Sequence, residues 1–294
     1  MKITMKKRIK RILSAIAVLI LTLAVLVAAS AIYSARTLIV TQYEIPAPVH
    51  NQLRIVQLSD LHSREFGEHN QKLIDKVSGL NPDMIVMTGD MMNEDDLDLE
   101  PLLRLIKSLQ ALAPVYYCYG NHETSWMSKF CADLRPSIES AGATVLNTEF
   151  VDLALNGSVF RLGGYANYYR QPHMLIKNKE QIEAERRFAD EFEDTQSYKI
   201  LLCHIPTSWL DWSGMDRNDV DLVLCGHYHG GQVRFPWGGG LYAPYVGVFP
   251  PYTKGMFVGE KALVVLSAGL GSQRGIPRIN NPGEIVCVDL IPEK

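Results

Sequence analysis

No two of the five cysteines, Cys118, Cys131, Cys203, Cys225 and Cys287, stand close enough to form a zinc knuckle or redox pair, and an odd count argues against a complete disulfide framework. Cys118, Cys203 and Cys225 lie in apolar runs and read as small buried hydrophobes. Internal repeats and low-complexity tracts are also missing, which excludes a fibrous or disordered chain. Basic charge is scarce beyond the amino terminus. With Lys2, Lys6, Lys7, Arg8, Lys10 and Arg11 set aside, 23 of the 29 Lys and Arg remain against 32 Asp and Glu. So acidic a domain lacks the clustered cations that polyphosphate backbones require, and no nucleic acid is expected as a partner. Small phosphorylated molecules or lipids fit better. Arg8 is followed by Ile9, so there is no twin-arginine export signal.

What is present begins with a candidate membrane span. The six basic residues precede an apolar run, Ile12 to Ile32, broken only by Ser14, Thr22 and Ser30. As a helix this run reaches about 30 Å, the thickness of the hydrocarbon layer. Cleaved signal peptides carry shorter apolar stretches, so residues 1–35 read as a cytoplasmic basic tail and an uncleaved transmembrane signal anchor. Cleavage after Ala29-Ser30-Ala31 or near Ala35 is the alternative. The basic cluster should stay in the cytoplasm, which makes a single-pass cell-membrane protein with everything after residue 35 extracytoplasmic. Residues 36–51, with Pro46 and Pro48, read as a linker, and 52–294 as one sizeable domain.

Within that domain Leu53–Leu58, Met84–Thr88 and Val115–Tyr119 read as buried strands. Leu73, Val77 and Leu80 fall at helical spacing between the first two, and Leu102, Leu105, Ile106, Leu109 and Leu112 between the second and third. This βαβαβ pattern brings strand carboxyl ends to one sheet edge. After residue 140 the short runs 143–146, 151–155 and 159–162 suggest antiparallel pairing. A helix is expected around 180–193, then strands at 200–203, 222–225, 263–267 and 285–290. The fold class read from this is α/β, with two stacked mixed β-sheets flanked by helices in four layers, preceded by one transmembrane helix.

Nearly every strand runs into metal-ligand chemistry: Asp60-Leu61-His62, Gly89-Asp90, Gly120-Asn121-His122-Glu123, His204, and Gly226-His227-Tyr228-His229. Singly, each has an ordinary explanation, such as a helix cap, a turn or a core histidine. Their common position at strand ends is what argues for a site. Carboxylate, imidazole and amide donors without thiolates suit Mn²⁺, Zn²⁺ or Fe. Seven ligands exceed one ion, whereas a shared carboxylate bridging two ions about 3.5–4 Å apart accounts for them.

In that order the five blocks resemble the calcineurin-like metallophosphoesterases, over roughly Leu53 to Leu290. The resemblance implies one metal on Asp60, His62, Asp90 and His229, and a second on Asp90, Asn121, His204 and His227, with Asp90 bridging. It implies hydrolysis of a phosphate ester or diphosphate bond by a metal-bridging hydroxide. His122 would stand by the leaving group, oriented by Glu123. The segment His229-Gly230-Gly231-Gln232-Val233-Arg234-Phe235-Pro236, with the membrane helix, resembles a bacterial membrane-associated branch akin to UDP-2,3-diacylglucosamine hydrolases. That likeness implies a lipid-linked or nucleotide-sugar substrate, hence lipid metabolism.

Three further readings stay open. Gly238 to Pro251 forms either an active-site rim, with Tyr242, Tyr245, Phe249 and Tyr252 touching an acyl chain or a base, or a packed surface loop. Arg274 and Arg278 either grip a substrate phosphate or pair on the surface. The activity itself has as alternatives a metal-dependent amide or acyl hydrolase and a catalytically silent metal-binding module.

Overall fold

The computed structural model describes residues 2–170, 178–272 and 276–293. In chain order the elements are α1 (Lys2–Arg36), β1 (Leu38–Ala47), β2 (Leu53–Leu58), α2 (Gln71–Gly79), β3 (Met84–Thr88), α3 (Glu100–Gln110), β4 (Val115–Cys118), α4 (Asn121–Phe130), α5 (Arg135–Ser140), β5 (Ala143–Val145), β6 (Glu149–Leu155) and β7 (Ser158–Tyr165). These are followed by α6 (Lys179–Glu193), β8 (Tyr198–Cys203), α7 (Thr207–Leu210), α8 (Gly214–Arg217), β9 (Leu222–Cys225), β10 (Tyr242–Ala243), β11 (Gly247–Val248), β12 (Gly255–Val258), β13 (Leu263–Leu266) and β14 (Gly283–Pro292).

Two six-stranded sheets form, in the orders β1-β14-β2-β3-β4-β5 and β12-β13-β9-β8-β7-β6. Both faces of the central strands are apolar, as their near-continuous hydrophobic sequences require. Ile55, Val86 and Val288 of the first sheet meet Leu162, Leu202 and Leu224 of the second in the shared core. The outer face of the first sheet carries α2 and α3 through Leu73, Val77, Leu105 and Ile106. The outer face of the second carries α6 through Phe188 and Phe192. Cys118, Cys203, Cys225 and Cys287 are buried and unpaired, as small core hydrophobes. The four layers expected from sequence are therefore present.

Two local expectations are corrected. Residues 36–51 do not form a simple spacer: Leu38–Ala47 is β1, parallel to β14 over its whole length from Leu38 opposite Gly283 to Ala47 opposite Pro292. Its Ile45 and Ala47 enter the inter-sheet core. Pro46 is tolerated because β1 is an edge strand, where a missing N–H costs no ladder bond. Nor does pairing turn antiparallel at residue 143. β5 runs parallel to β4, and only β6 with β7 forms the antiparallel pair there, before β7 joins β8 in parallel.

Candidate metal centre

Every block of candidate ligands follows a strand directly, so parallel pairing carries three blocks to one edge of the first sheet and two to one edge of the second, and the stacked sheets bring these edges together. Asp60 comes two residues after β2, Asp90 two after β3, Asn121 begins α4 after β4, His204 follows β8 and His227 lies two beyond β9. Their donor atoms form three overlapping groups: Asp60, His62 and His229; His62, Asp90 and His122; Asp90, His204 and His227. Asp90 Oδ2 lies 3.2 Å from His204 Nε2, 3.9 Å from His62 Nε2 and 4.0 Å from His122 Nε2. His229 Nε2 is 3.7 Å from Asp60 Oδ1, and His204 Nε2 is 3.2 Å from His227 Nδ1. Donors sharing a cation at about 2.1 Å stand roughly 3–3.5 Å apart, so the tighter contacts have coordination spacing.

The donor chemistry fits divalent cations. His62 Nε2, His227 Nε2 and Asn121 Oδ1 are buried with no hydrogen-bond partner. Lone pairs left this way are costly unless something electropositive meets them. The outward nitrogens of two histidines are fixed instead: His204 Nδ1 stands 2.7 Å from the Thr88 carbonyl, and His62 Nδ1 is 3.3 Å from Asn93 Oδ1. Such contacts settle ring orientation and turn Nε2 toward the centre.

Electrostatics point the same way. Burial pushes His62 down to about 4 and His227 down to about 3, keeping both neutral with lone pairs available. Burial lowers His229 well below the ordinary histidine value as well. Burial would lower His204 too, but the Asp90 carboxylate outweighs it and raises this ring to about 10. Burial would raise Asp90, yet His204, His62 and His122 hold it far below the usual carboxylate range. Asp60 is pushed up to about 6 by burial. Asp90 and His204 therefore attract one another strongly, beside the lone pairs of His62 and His227.

The backbone is bent to hold this. Asp60, His62, Asp90, His227 and His229 all have φ between 48° and 72°, a region costing non-glycine residues about 1 kcal/mol or more each. Compensating bonds are specific: Asp60 N to Gly89 O at 3.0 Å, His62 N to Asp90 O at 3.0 Å, and His227 N to Asp60 Oδ1 at 3.0 Å. Two glycines permit the crowding. A Cβ on Gly120 would lie 2.2 Å from Asp90 Oδ1, and one on Gly226 would lie 2.3 Å from Asp60 Oδ2.

Glu123 plays another part than the one expected. Its Oε2 accepts from the backbone nitrogens of Asp90 and Gly120, both at 2.8 Å; its Oε1 accepts from Met91 N at 2.8 Å and from the Tyr117 hydroxyl at 2.7 Å. This carboxylate ties two candidate ligand loops together, and the His122 ring accepts at Nδ1 from Glu94 N at 3.2 Å. Arg278 is buried, with Nη2 2.6 Å from the Ala268 carbonyl and 3.4 Å from His229 Nδ1, so it stands beside the ligands and not on the surface. Arg274 lies outside the described residues. Three supporting side chains escaped the sequence reading: Asn93, Ser59, whose hydroxyl donates to Asp60 Oδ2 at 2.6 Å, and Gln57, which reaches across the sheets to the Cys225 carbonyl at 2.9 Å. Gln57 had a signal, being the one uncharged polar residue in Leu53–Leu58.

The fold and this arrangement define a metallophosphoesterase-type domain. The chain belongs to the calcineurin-like phosphoesterase family, whose model matches residues 53–231. It is 29% identical over 257 residues to an uncharacterized metallophosphoesterase of Campylobacter jejuni, covering 85% of this chain but only 62% of that protein. It is 27% identical to the phosphodiesterase YaeI of Escherichia coli K12, covering 81% of this chain and 82% of that one. It is also 28% identical to a transmembrane protein with a metallophosphoesterase domain from Bos taurus, covering 84% and 55% respectively.

Proposed function

We propose that this protein is a membrane-tethered phosphoesterase using two divalent cations. Asp60, His62, Asp90 and His229 hold one, and Asp90, Asn121, His204 and His227 hold the other. The observation that carries this reading is Asp90, whose carboxylate groups with His204 and His227 and also with His62, which in turn groups with Asp60 and His229. Cations bound there would activate a water and draw charge off phosphoryl oxygens.

The chain's own contribution centres on His122. Because its Nδ1 accepts a hydrogen bond from Glu94 N, the proton sits on Nε2, which faces the centre 4.0 Å from Asp90 Oδ2. That N–H is placed to donate to a departing oxygen. The test is hydrolysis of phosphate esters by protein stripped with chelator and refilled with metal, which should lose and regain activity. In the same assay His122→Ala is expected to retain its metals and lose about 10²- to 10⁴-fold in kcat, with less loss on aryl esters whose leaving groups need no proton. Loss of metal from that variant would remove the assigned role.

Arg278 is proposed to bind a substrate phosphate, supported by its buried Nη1, which has no hydrogen-bond partner. Arg278→Lys keeps the charge but loses the planar fork. It should raise KM about tenfold or more with little change in kcat, the worth of one charge-assisted hydrogen bond. An unchanged KM would return Arg278 to a purely structural role.

A substrate at the membrane surface, lipid-linked or a nucleotide sugar, is supported by α1. Its span from Lys7 to Arg36 is long and apolar enough to cross a bilayer, and its most apolar stretch is not buried in the fold, unlike a core helix. The end of α1 nevertheless engages the domain: Ser34 is buried and its Oγ accepts from Asn281 N at 3.0 Å. Cleavage near Ala35 would remove that contact, which favours a retained anchor; the basic residues before the span favour an extracytoplasmic catalytic domain.

A further inference from the structure

From Phe235 to Tyr252 the chain carries no charged residue. This segment, which includes β10 and β11, is not a packed interior loop. Trp237 is 82% exposed, and Val248 and Phe249 are each 68% exposed. Phe235 stacks on Trp237 at 5.2 Å and on Phe249 at 5.9 Å between ring centroids, so the exposed aromatics form one cluster. Contiguous apolar exposure of this kind marks an interaction surface.

Its position relative to α1 identifies the partner. Ser30 lies two residues before the end of the apolar run, and its Oγ accepts from Asn280 N at 2.8 Å. Asn280 Nδ2 in turn donates to the Arg234 carbonyl at 3.3 Å, and Arg234 N donates to the Ile279 carbonyl at 3.0 Å. The aromatic segment therefore starts one residue from a strap bonded to the outer end of the span. At 1.5 Å per residue, Ser30 is about 3 Å along the axis from Ile32, at the level where hydrocarbon gives way to headgroups. Exposed Trp and Tyr, here Trp237, Tyr242 and Tyr245, favour that depth. On its other side the same segment reaches the metal centre, where Tyr245 stacks on His227 with ring centroids 5.3 Å apart.

We infer that the segment from Phe235 to Tyr252 is a second membrane contact, with its Phe235–Trp237–Phe249 cluster seated in the leaflet from which α1 emerges, so that the metal centre opens at the bilayer surface. This rests on α1 being a retained membrane anchor and deepens the proposed substrate class to phosphoesters presented by the lipid layer. The occupant of the aromatic cluster is the lipid surface itself.

The experiment uses the full chain reconstituted into phosphatidylcholine vesicles, with flotation reporting whether α1 anchors it. Emission of Trp237 is read as the difference between wild type and Trp237→Phe. Gly238 and Gly239 have open space around them, so this tip tolerates the change. The protein should float, and the Trp237 component should lose most of its intensity when the lipids are brominated high on the acyl chains, while soluble acrylamide barely quenches it. Floating protein whose Trp237 is quenched by acrylamide and not by brominated lipid overturns the inference and leaves the anchor standing. Shielding from both quenchers overturns it in favour of a second copy or another protein. Quenching that saturates with monomeric brominated fatty acid at one per chain overturns it in favour of an acyl pocket. Failure to float overturns the anchor, and this inference with it.

Discussion

Asp90→Asn is expected to abolish metal-dependent hydrolysis, with a fall on the order of 10³-fold or more in kcat/KM, because several kcal/mol of charge stabilisation depends on the cations it is proposed to hold. The carboxylate is 1% exposed and lies within 4.0 Å of the Nε2 atoms of His204, His62 and His122. Oδ1 also accepts from His122 N at 2.8 Å, a bond that Asn can still make through its own Oδ1. The substitution therefore keeps the loop's shape and removes the negative charge from a cluster otherwise rich in imidazole. Both cation positions should weaken together, whereas Asp60→Asn or Asn121→Ala should weaken one. Metal content per chain and hydrolysis of an aryl phosphodiester, measured after identical refilling, separate the cases. An Asp90→Asn protein with a full metal complement and a wild-type rate would remove Asp90 from the centre of the site.

That prediction could have been written from the sequence, and the reason is physical. β2, β3, β4, β8 and β9 are short apolar runs ended by polar residues. Parallel strands in such a pattern put their carboxyl ends on one edge of each sheet, β2, β3 and β4 in the first and β8 and β9 in the second, so ligand types at five strand ends imply one site once the sheets stack. What sequence could not show was the work done around the ligands. The role of Glu123 depends on where the backbone nitrogens of Asp90, Met91 and Gly120 point, and those directions follow from left-handed residues whose φ values no local pattern announces. β1 was hidden because Pro46 and Pro48 are linker-like in composition. Only the partner strand β14, 245 positions away at the Leu38–Gly283 pair, makes residues 38–47 a strand. The parallel pairing of β5 was obscured similarly, since α4 and α5 between it and β4 carry weak periodicity. The aromatic content of Gly238 to Pro251 was visible as composition, but the clustering of Phe249 with Phe235 and Trp237, and its nearness to α1, required the folded chain and the bonds of Ser30 and Asn280.

Glu123→Gln is expected to cost about 3 kcal/mol or more in folding stability, from the charge-assisted bonds lost and the buried donors left unmatched. A carboxylate accepts at both oxygens, and here each oxygen serves two donors: Asp90 N and Gly120 N at one, Met91 N and the Tyr117 hydroxyl at the other. A glutamine amide has one accepting oxygen. Whichever way it is turned, its NH₂ group faces two donors in a site with no exposure to water. For a domain of this size the melting temperature should fall by roughly 6–12 °C, read by calorimetry on the metal-loaded protein. The damage should also reach chemistry, because the Glu123 bonds hold Asp90 at φ 53° and bring Gly120 against it. Metal affinity should drop by about 10- to 100-fold, the usual effect of removing a group that supports a ligand from behind. His122→Ala gives the contrast: its ring accepts from Glu94 N but does not join the Asp90 and Gly120 loops, so it should lose rate while keeping metal, at a smaller cost in stability. If Glu123→Gln instead melted like wild type and lost only rate, Glu123 would be acting on His122 after all, and the two ligand loops would have to be held by other bonds.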